Sequence, residues 1–159
     1  MIEVKKDSAN VLEFITCGNY VYYPFGFDVK SEDQILQRLN YFVDSIIYYH
    51  YADSTFKEHL LKYHSNQLLL SFDKDTESTI SSYICEGVIT DRSILLSNDI
   101  QIGMSIESFI DNFFDTYPQS WITNKELIIF YSGVVGIKHV YSFVDRCLVQ
   151  IRFDSVESY

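Results

Sequence analysis

The strongest constraint on the fold is the last patterned stretch, where Cys147, Val149, Ile151 and Phe153 alternate with Leu148, Gln150, Arg152 and Asp154. Period-two alternation belongs to a strand with one buried and one wetter face, because successive side chains point to opposite sides of a sheet. Residues 136–143 form a further expected strand, and Val144, Asp145 and Arg146 between the two suit a hairpin turn, so they are expected to pair antiparallel. Short β-branched and aromatic runs predict further strands over 11–16, 19–23, 68–72, 80–85, 88–90, 93–96, 121–123 and 126–131. Residues 73–78 and the pair Glu86-Gly87 carry turn chemistry between them.

Three segments carry helix signals. Ser31 followed by Gln34 has the spacing of a capping box, and Glu32 and Asp33 place negative charge where a helix N-terminus favours it. Ile35, Leu36, Leu39, Phe42, Val43, Ile46 and Ile47 then recur at i, i+3, i+4, which predicts a helix over 31–49. Thr55 with Glu58 repeats the cap pattern, and Phe56, Leu60, Leu61 and Tyr63 predict a shorter helix ending near His64. A third opens at Ser105, with Glu107 in its first turn, Ile106, Phe109, Ile110, Phe113 and Phe114 on one face, and Pro118 just beyond its end.

A chain of 159 residues, 47% of them hydrophobic, fits one globular domain. Its 22 acidic and 12 basic residues leave a net charge of −10, which argues against binding nucleic acid or an anionic membrane surface. The longest apolar runs, 46–49 and 127–131, fall far short of the roughly 20 residues that cross a bilayer. No signal-peptide pattern is visible in MIEVKKDSANVLEF, so the expected location is cytoplasmic, or periplasmic and envelope-associated if an export signal has been removed. Cys17, Cys85 and Cys147 are too widely spaced for a zinc set or disulfide framework and read as small buried strand residues.

Laying SEDQILQRL (31–39) over SIESFIDNF (105–113), at an offset of 74 residues, aligns the caps Ser31 and Ser105, the acids Asp33 and Glu107, and three apolar pairs. Residues 10–97 and 98–159 are therefore candidate tandem helix-plus-sheet repeats. The stretch IQIGMSIESFIDNFFDTYP (100–118) and the closing YSFVDRCLVQIRF (141–153) carry a family likeness. Gly103, Met104, Ser105 and Glu107 match a Gly-Met-Ser, acidic residue, amphipathic-helix opening, and Tyr141, Phe143, Asp145 and Leu148 match a Tyr-x-Phe-x-Asp/Asn-Gly-x-Leu hairpin. In these features the chain resembles the SmpA/OmlA and β-lactamase-inhibitor-protein-like superfamily. It departs at Arg146, where glycine is usual, and at Thr116-Tyr117-Pro118, where the family has Leu-Gly-x-Pro. The resemblance implies a helical layer on an antiparallel sheet and a role in binding other proteins, at a bacterial envelope or as an inhibitor, with no catalytic residues.

Motifs that suggest chemistry fail on context. Asp73-Lys74-Asp75-Thr76 after an apolar strand is like an aspartyl-phosphatase nucleophile motif, but that fold needs parallel βαβ units. Counted as a calcium loop from Asp73, it puts Ser78 and Ile84 where glycine and an acid are required. Ser71 and Lys74 have SxxK spacing with no SDN or KTG partner. On a helix, His59 and His64 would lie about 140° apart and share no face for a metal. Gly133-Val134-Val135-Gly136 reads as a turn.

The aromatic clusters are the most suggestive feature. Thirteen tyrosines exceed the needs of a core this size, and tyrosine joins apolar area to a polar tip suited to interfaces. Tyr22, Tyr23, Tyr48, Tyr49 and Tyr51, with Trp121, form the candidate partner-binding set. The reading is a single α+β domain over 1–159, an antiparallel sheet packed by three main helices. Its expected function is non-catalytic protein binding as a bacterial envelope or periplasmic module, with no catalytic residues, metal or cofactor. The alternatives are a cytoplasmic immunity or antitoxin-like inhibitor of a basic protein, and an enzyme of unrecognised type.

Overall fold

In the computed structural model, which describes residues 1–26, 29, 31–74, 84–133 and 136–155, the patterned stretches pair into one nine-stranded sheet. In chain order the elements are β1 (Ile2–Asp7), β2 (Val11–Thr16), α1 (Asn19–Tyr22), α2 (Glu32–Arg38), β3 (Val43–Tyr51), β4 (Ser54–Tyr63), β5 (Asn66–Asp73), β6 (Ile84–Ile89), α3 (Ile106–Asp111), β7 (Leu127–Ser132), β8 (Ile137–Val144) and β9 (Cys147–Ser155). Across the sheet the order is β1-β2-β7-β8-β9-β6-β5-β4-β3.

This overturns the expected α+β architecture. The described residues are sheet-dominated, and the helices α1, α2 and α3 are only four, seven and six residues long. The sheet is also mixed: β2 and β7 run parallel, from Val11 opposite Leu127 to Thr16 opposite Ser132. Most of the chain lies between these two strands, so no tight turn forces them antiparallel.

Most of the error lies in residues 39–64. The helix expected over 31–49 stops at Arg38, where Leu39 leaves helical geometry (φ −106°, ψ 32°), and residues 43–51 form β3. Val43, Ile46, Ile47, Tyr48, Tyr49 and Tyr51 are all β-branched or aromatic, and such side chains prefer a pleated surface. The second expected helix is β4, in which His59 and Leu61 alternate inward against Glu58 and Leu60. The strand expected over 19–23 is the short helix α1, residues 93–96 are not a strand, and 121–123 holds the end of a 3-10 turn, Gln119–Trp121. Residues 75–83 and 134–135, which hold parts of the expected turn at 73–78, the strand at 80–85 and the turn at 133–136, lie outside the described residues.

Other local signals hold. Ser31 Oγ accepts from Gln34 N at 3.2 Å while Gln34 Oε1 accepts from Ser31 N at 3.1 Å, the full capping box. Ser105 Oγ accepts from Ser108 N at 3.1 Å and caps α3. The β8–β9 hairpin is antiparallel as expected, but its inward residues are Leu148, Ile151 and Phe153. A register shift between Ser142 and Phe143 inserts one residue and flips the parity, so Val149 turns outward.

The core is aromatic where α3 meets β2, β7 and β8. Phe109 lies 4.6 Å from Tyr141 and 5.4 Å from Phe143, Phe113 lies 4.8 Å from Phe130, and Phe14 lies 5.1 Å from both Phe130 and Trp121 (ring centroids). Toward the other end, α2 contributes Ile35, and Leu61, Leu68 and Leu70 of β4 and β5 are buried in the same core.

Candidate functional site: the β3 edge

A nine-stranded open sheet has two edges, and this chain treats them differently. β1 is short, carries Glu3, Lys5 and Lys6, and pairs with β2 through a register shift between Val4 and Lys6. Charge, shortness and a bulge are the devices that keep an edge strand from recruiting another strand. Lys5 also places its ammonium 3.7 Å from the centre of the Tyr131 ring.

β3 has none of these protections along its apolar part. It pairs with β4 over nine residues, from Val43 opposite Lys62 to Tyr51 opposite Ser54, with no register shift. A two-residue loop, Ala52-Asp53, closes the hairpin, with Ala52 at a positive φ of 55°. All nine β3 residues are exposed, including Val43 and Tyr51 at 72% each, Tyr48 at 61% and Ile47 at 57%. In a paired edge strand alternate residues turn their N–H and C=O groups outward.

The strand is anchored from behind by an ionic cluster that the sequence did not reveal. His59 of β4 is fully buried, with Nδ1 2.9 Å from Asp44 Oδ2 on β3 and Nε2 2.8 Å from Glu32 Oε1 on α2. Glu32 also accepts from Lys57 Nζ at 2.7 Å and Lys74 Nζ at 2.5 Å. Burial raises the Glu32 pKa, but the bonds from Lys57, Lys74 and His59 outweigh it and hold the carboxyl down at about 2. The bond to Glu32 in turn lifts the Lys57 ammonium above the ordinary lysine value.

Replacing Glu32 with Gln is therefore expected to lower stability by about 1–2 kcal/mol at neutral pH, measured by urea unfolding. Because its folded pKa is depressed, the Glu32 contribution is present above its ordinary value of 4.5 and lost as pH falls toward 2. The Glu32→Gln variant should lack that acid limb; an unchanged limb would remove the cluster from the stability of the hairpin.

The predicted aromatic set divides. Tyr48, Tyr49 and Tyr51 stand together on β3, with Tyr49 stacked on Phe56 at 5.1 Å. Tyr22 and Tyr23 are half-buried at and after the end of α1, and Trp121 is buried against Phe14 and Phe114. The sheet order sets β3 at the opposite edge from β1 and β2, so Trp121, packed on Phe14 of β2, does not share a surface with the β3 tyrosines. Val43, Ile46 and Ile47, which sequence reasoning assigned to a buried helix face, join the exposed edge instead. Cys17 and Cys147 are exposed and Cys85 is half-buried, so the cysteines are not the small core residues expected.

An open cleft of about 920 Å³ lies between the start of α3, the segment before β7 and the β8–β9 turn. Its two cations are engaged: Lys125 bonds Asp7 Oδ1 at 2.6 Å and the Ser8 carbonyl, and Arg146 pairs with Glu107. Among the described residues no group of three or more His, Cys, Asp or Glu is arranged to hold a metal ion, and no helix is long and apolar enough to cross a membrane. Comparison with protein-family models, curated proteins and solved structures returns no match.

Proposed function

We propose that the chain is a non-catalytic protein-binding module whose binding element is the β3 edge. The observation that carries this reading is a nine-residue, unbulged, apolar edge strand left open while the opposite edge is charged and bulged. Such an edge offers main-chain hydrogen bonds along its length and side-chain contacts at alternate positions, the basis of recognition by strand addition. The setting proposed is the bacterial envelope or periplasm, which rests on the resemblance of residues 100–153 alone.

The rival reading, an inhibitor of a basic protein, draws on the net charge of −10. That charge is not concentrated on β3, where Asp44 is the only acid and faces His59. In an affinity-capture experiment, protein held by the parent chain is expected to be lost from the Ile46→Lys/Tyr48→Lys variant, with circular dichroism showing the fold retained because both side chains are exposed. Equal capture by the variant would overturn the reading.

A further inference from the structure

We infer that the occupant of the β3 edge is a second copy of this chain, paired antiparallel with the first across a two-fold axis at Ile47. The inference rests on β3 being the binding edge and goes on to name what covers it. The argument is in the sequence of the strand, VDSIIYYHY. A two-fold interface brings one patch against itself, so residue i of one copy faces residue j of the other and j faces i.

With the axis at Ile47, Val43 faces Tyr51, Asp44 faces His50, Ser45 faces Tyr49, Ile46 faces Tyr48, and Ile47 faces itself. Every β3 residue gains a partner. The only acid on the strand meets a histidine, twice, and no like-charged pair forms. Ile46 opposite Tyr48 and Val43 opposite Tyr51 are aliphatic–aromatic pairs of the kind that stabilise antiparallel ladders.

The backbone agrees with this register, because each position faces one of the same parity, and outward-turned N–H and C=O groups of one copy therefore meet outward-turned groups of the other. Moving the axis to Ile46 leaves His50 and Tyr51 without partners within β3 and sets Asp44 against Tyr48. Moving it to Tyr48 leaves Val43 and Asp44 unpaired. The Ile47 register alone engages all nine residues and sets Asp44, which already accepts from His59 within its own chain, beside the His50 imidazole of the other copy. β1, with Lys5, Lys6 and its bulge, offers no comparable self-match, so assembly stops at two.

The test needs no ligand and uses the whole chain: molar mass in solution by light scattering and ultracentrifugation over a wide concentration range. The parent chain is expected to be a dimer, and Ile47→Lys, which sets two ammonium groups against each other on the axis, is expected to weaken it by about tenfold or more. His50→Asp, which places carboxylates opposite Asp44 at two points, should do the same, and Val4→Lys on β1 should leave it unchanged. Circular dichroism confirms that each variant is folded.

Oxidative cross-linking fixes the register. With Cys17, Cys85 and Cys147 replaced by serine, so that no native thiol can cross-link, Ile47→Cys should form a disulfide-linked dimer, whereas Val43→Cys should not, since eight residues of offset separate the two copies of that position by about 27 Å. A dimer that persists in Ile47→Lys, or that cross-links through Val43→Cys and not Ile47→Cys, overturns the inference. A parent chain that is monomeric throughout, yet loses a captured protein in Ile46→Lys/Tyr48→Lys, overturns self-pairing and leaves the binding edge standing. A monomer whose capture is also unchanged overturns both.

Discussion

Replacing Phe109 with alanine is expected to lower the unfolding free energy by about 3–5 kcal/mol, the range for truncating a fully buried aromatic ring. Phe109 is completely buried on α3, and its ring lies within 4.6–6.2 Å (centroid to centroid) of Tyr141, Phe113, Phe143 and Phe130. A six-residue helix is far too short to persist on its own, so α3 is held by this face and by the Ser105 cap. Domains of this kind are stable by about 5–15 kcal/mol in total, and the loss is a large share of that.

Urea unfolding followed by near-ultraviolet circular dichroism would report the change as a lower midpoint at unchanged slope. Phe109→Leu should recover part of the loss because it refills part of the cavity. A cost below about 1 kcal/mol for Phe109→Ala would mean that the site collapses freely, and that α3 is not fixed to the sheet through this ring.

How much of this was legible in the sequence depends on whether a local rule and a tertiary rule agreed. Ser31 with Gln34 and Ser105 with Ser108 cap helices through contacts three residues apart, which sequence spacing states directly. The β8–β9 hairpin was legible from the alternation of 147–154 and its short turn, and only the inserted residue at the Ser142–Phe143 shift reversed which side chains turn inward; β7, with Ile128, Ile129 and Phe130 all buried, was read from composition instead of alternation. Residues 43–51 satisfied the helical and the sheet pattern at once. Apolar residues at Val43, Ile46 and Ile47 have helical spacing, but in β3 Ile46 and Ile47 lie on opposite faces and both are exposed. That combination is legible only when the strand is known to be an edge.

The candidate site was half legible for a similar reason. An excess of tyrosine pointed to Tyr48, Tyr49 and Tyr51, and the same composition argument drew in Trp121, which packs into the core. The Glu32–His59–Asp44 cluster had no local signal, because its members meet only when α2 is laid on the β3–β4 hairpin. Once β4 is read as a strand, the one available hint was that His59 shares the inward face with Leu61, two residues on.

Acidification is expected to destabilise the fold through His139 well before the carboxylates take part. His139 of β8 is fully buried; its Nδ1 lies 3.3 Å from the Tyr141 hydroxyl, while Nε2 has no hydrogen-bond partner among the described residues. Burial lowers its pKa from 6.5 to about 3, only partly opposed by the nearby Val21 backbone, and burial likewise raises the facing Tyr141 so that its hydroxyl stays neutral. The folded state therefore binds fewer protons than the unfolded state between those values. The stability involved is fully present above 6.5 and is lost as pH falls, by about 2–3 kcal/mol on reaching pH ~4.5.

Glu32 contributes in a lower window, from 4.5 toward 2, so the two limbs separate in a series of unfolding curves. Replacing His139 with Leu removes the titrating ring and the orphaned nitrogen together, at the loss of its edge contact with Phe153. The variant is expected to lie within about 1 kcal/mol of the parent at neutral pH and to stay flat between pH 6.5 and 4.5. An equal slope in His139→Leu would assign the acid sensitivity to other groups. Because this loss acts on the core and the β3 edge lies at the far side of β9, β6, β5 and β4, association measured above pH 6.5 reports on the edge alone.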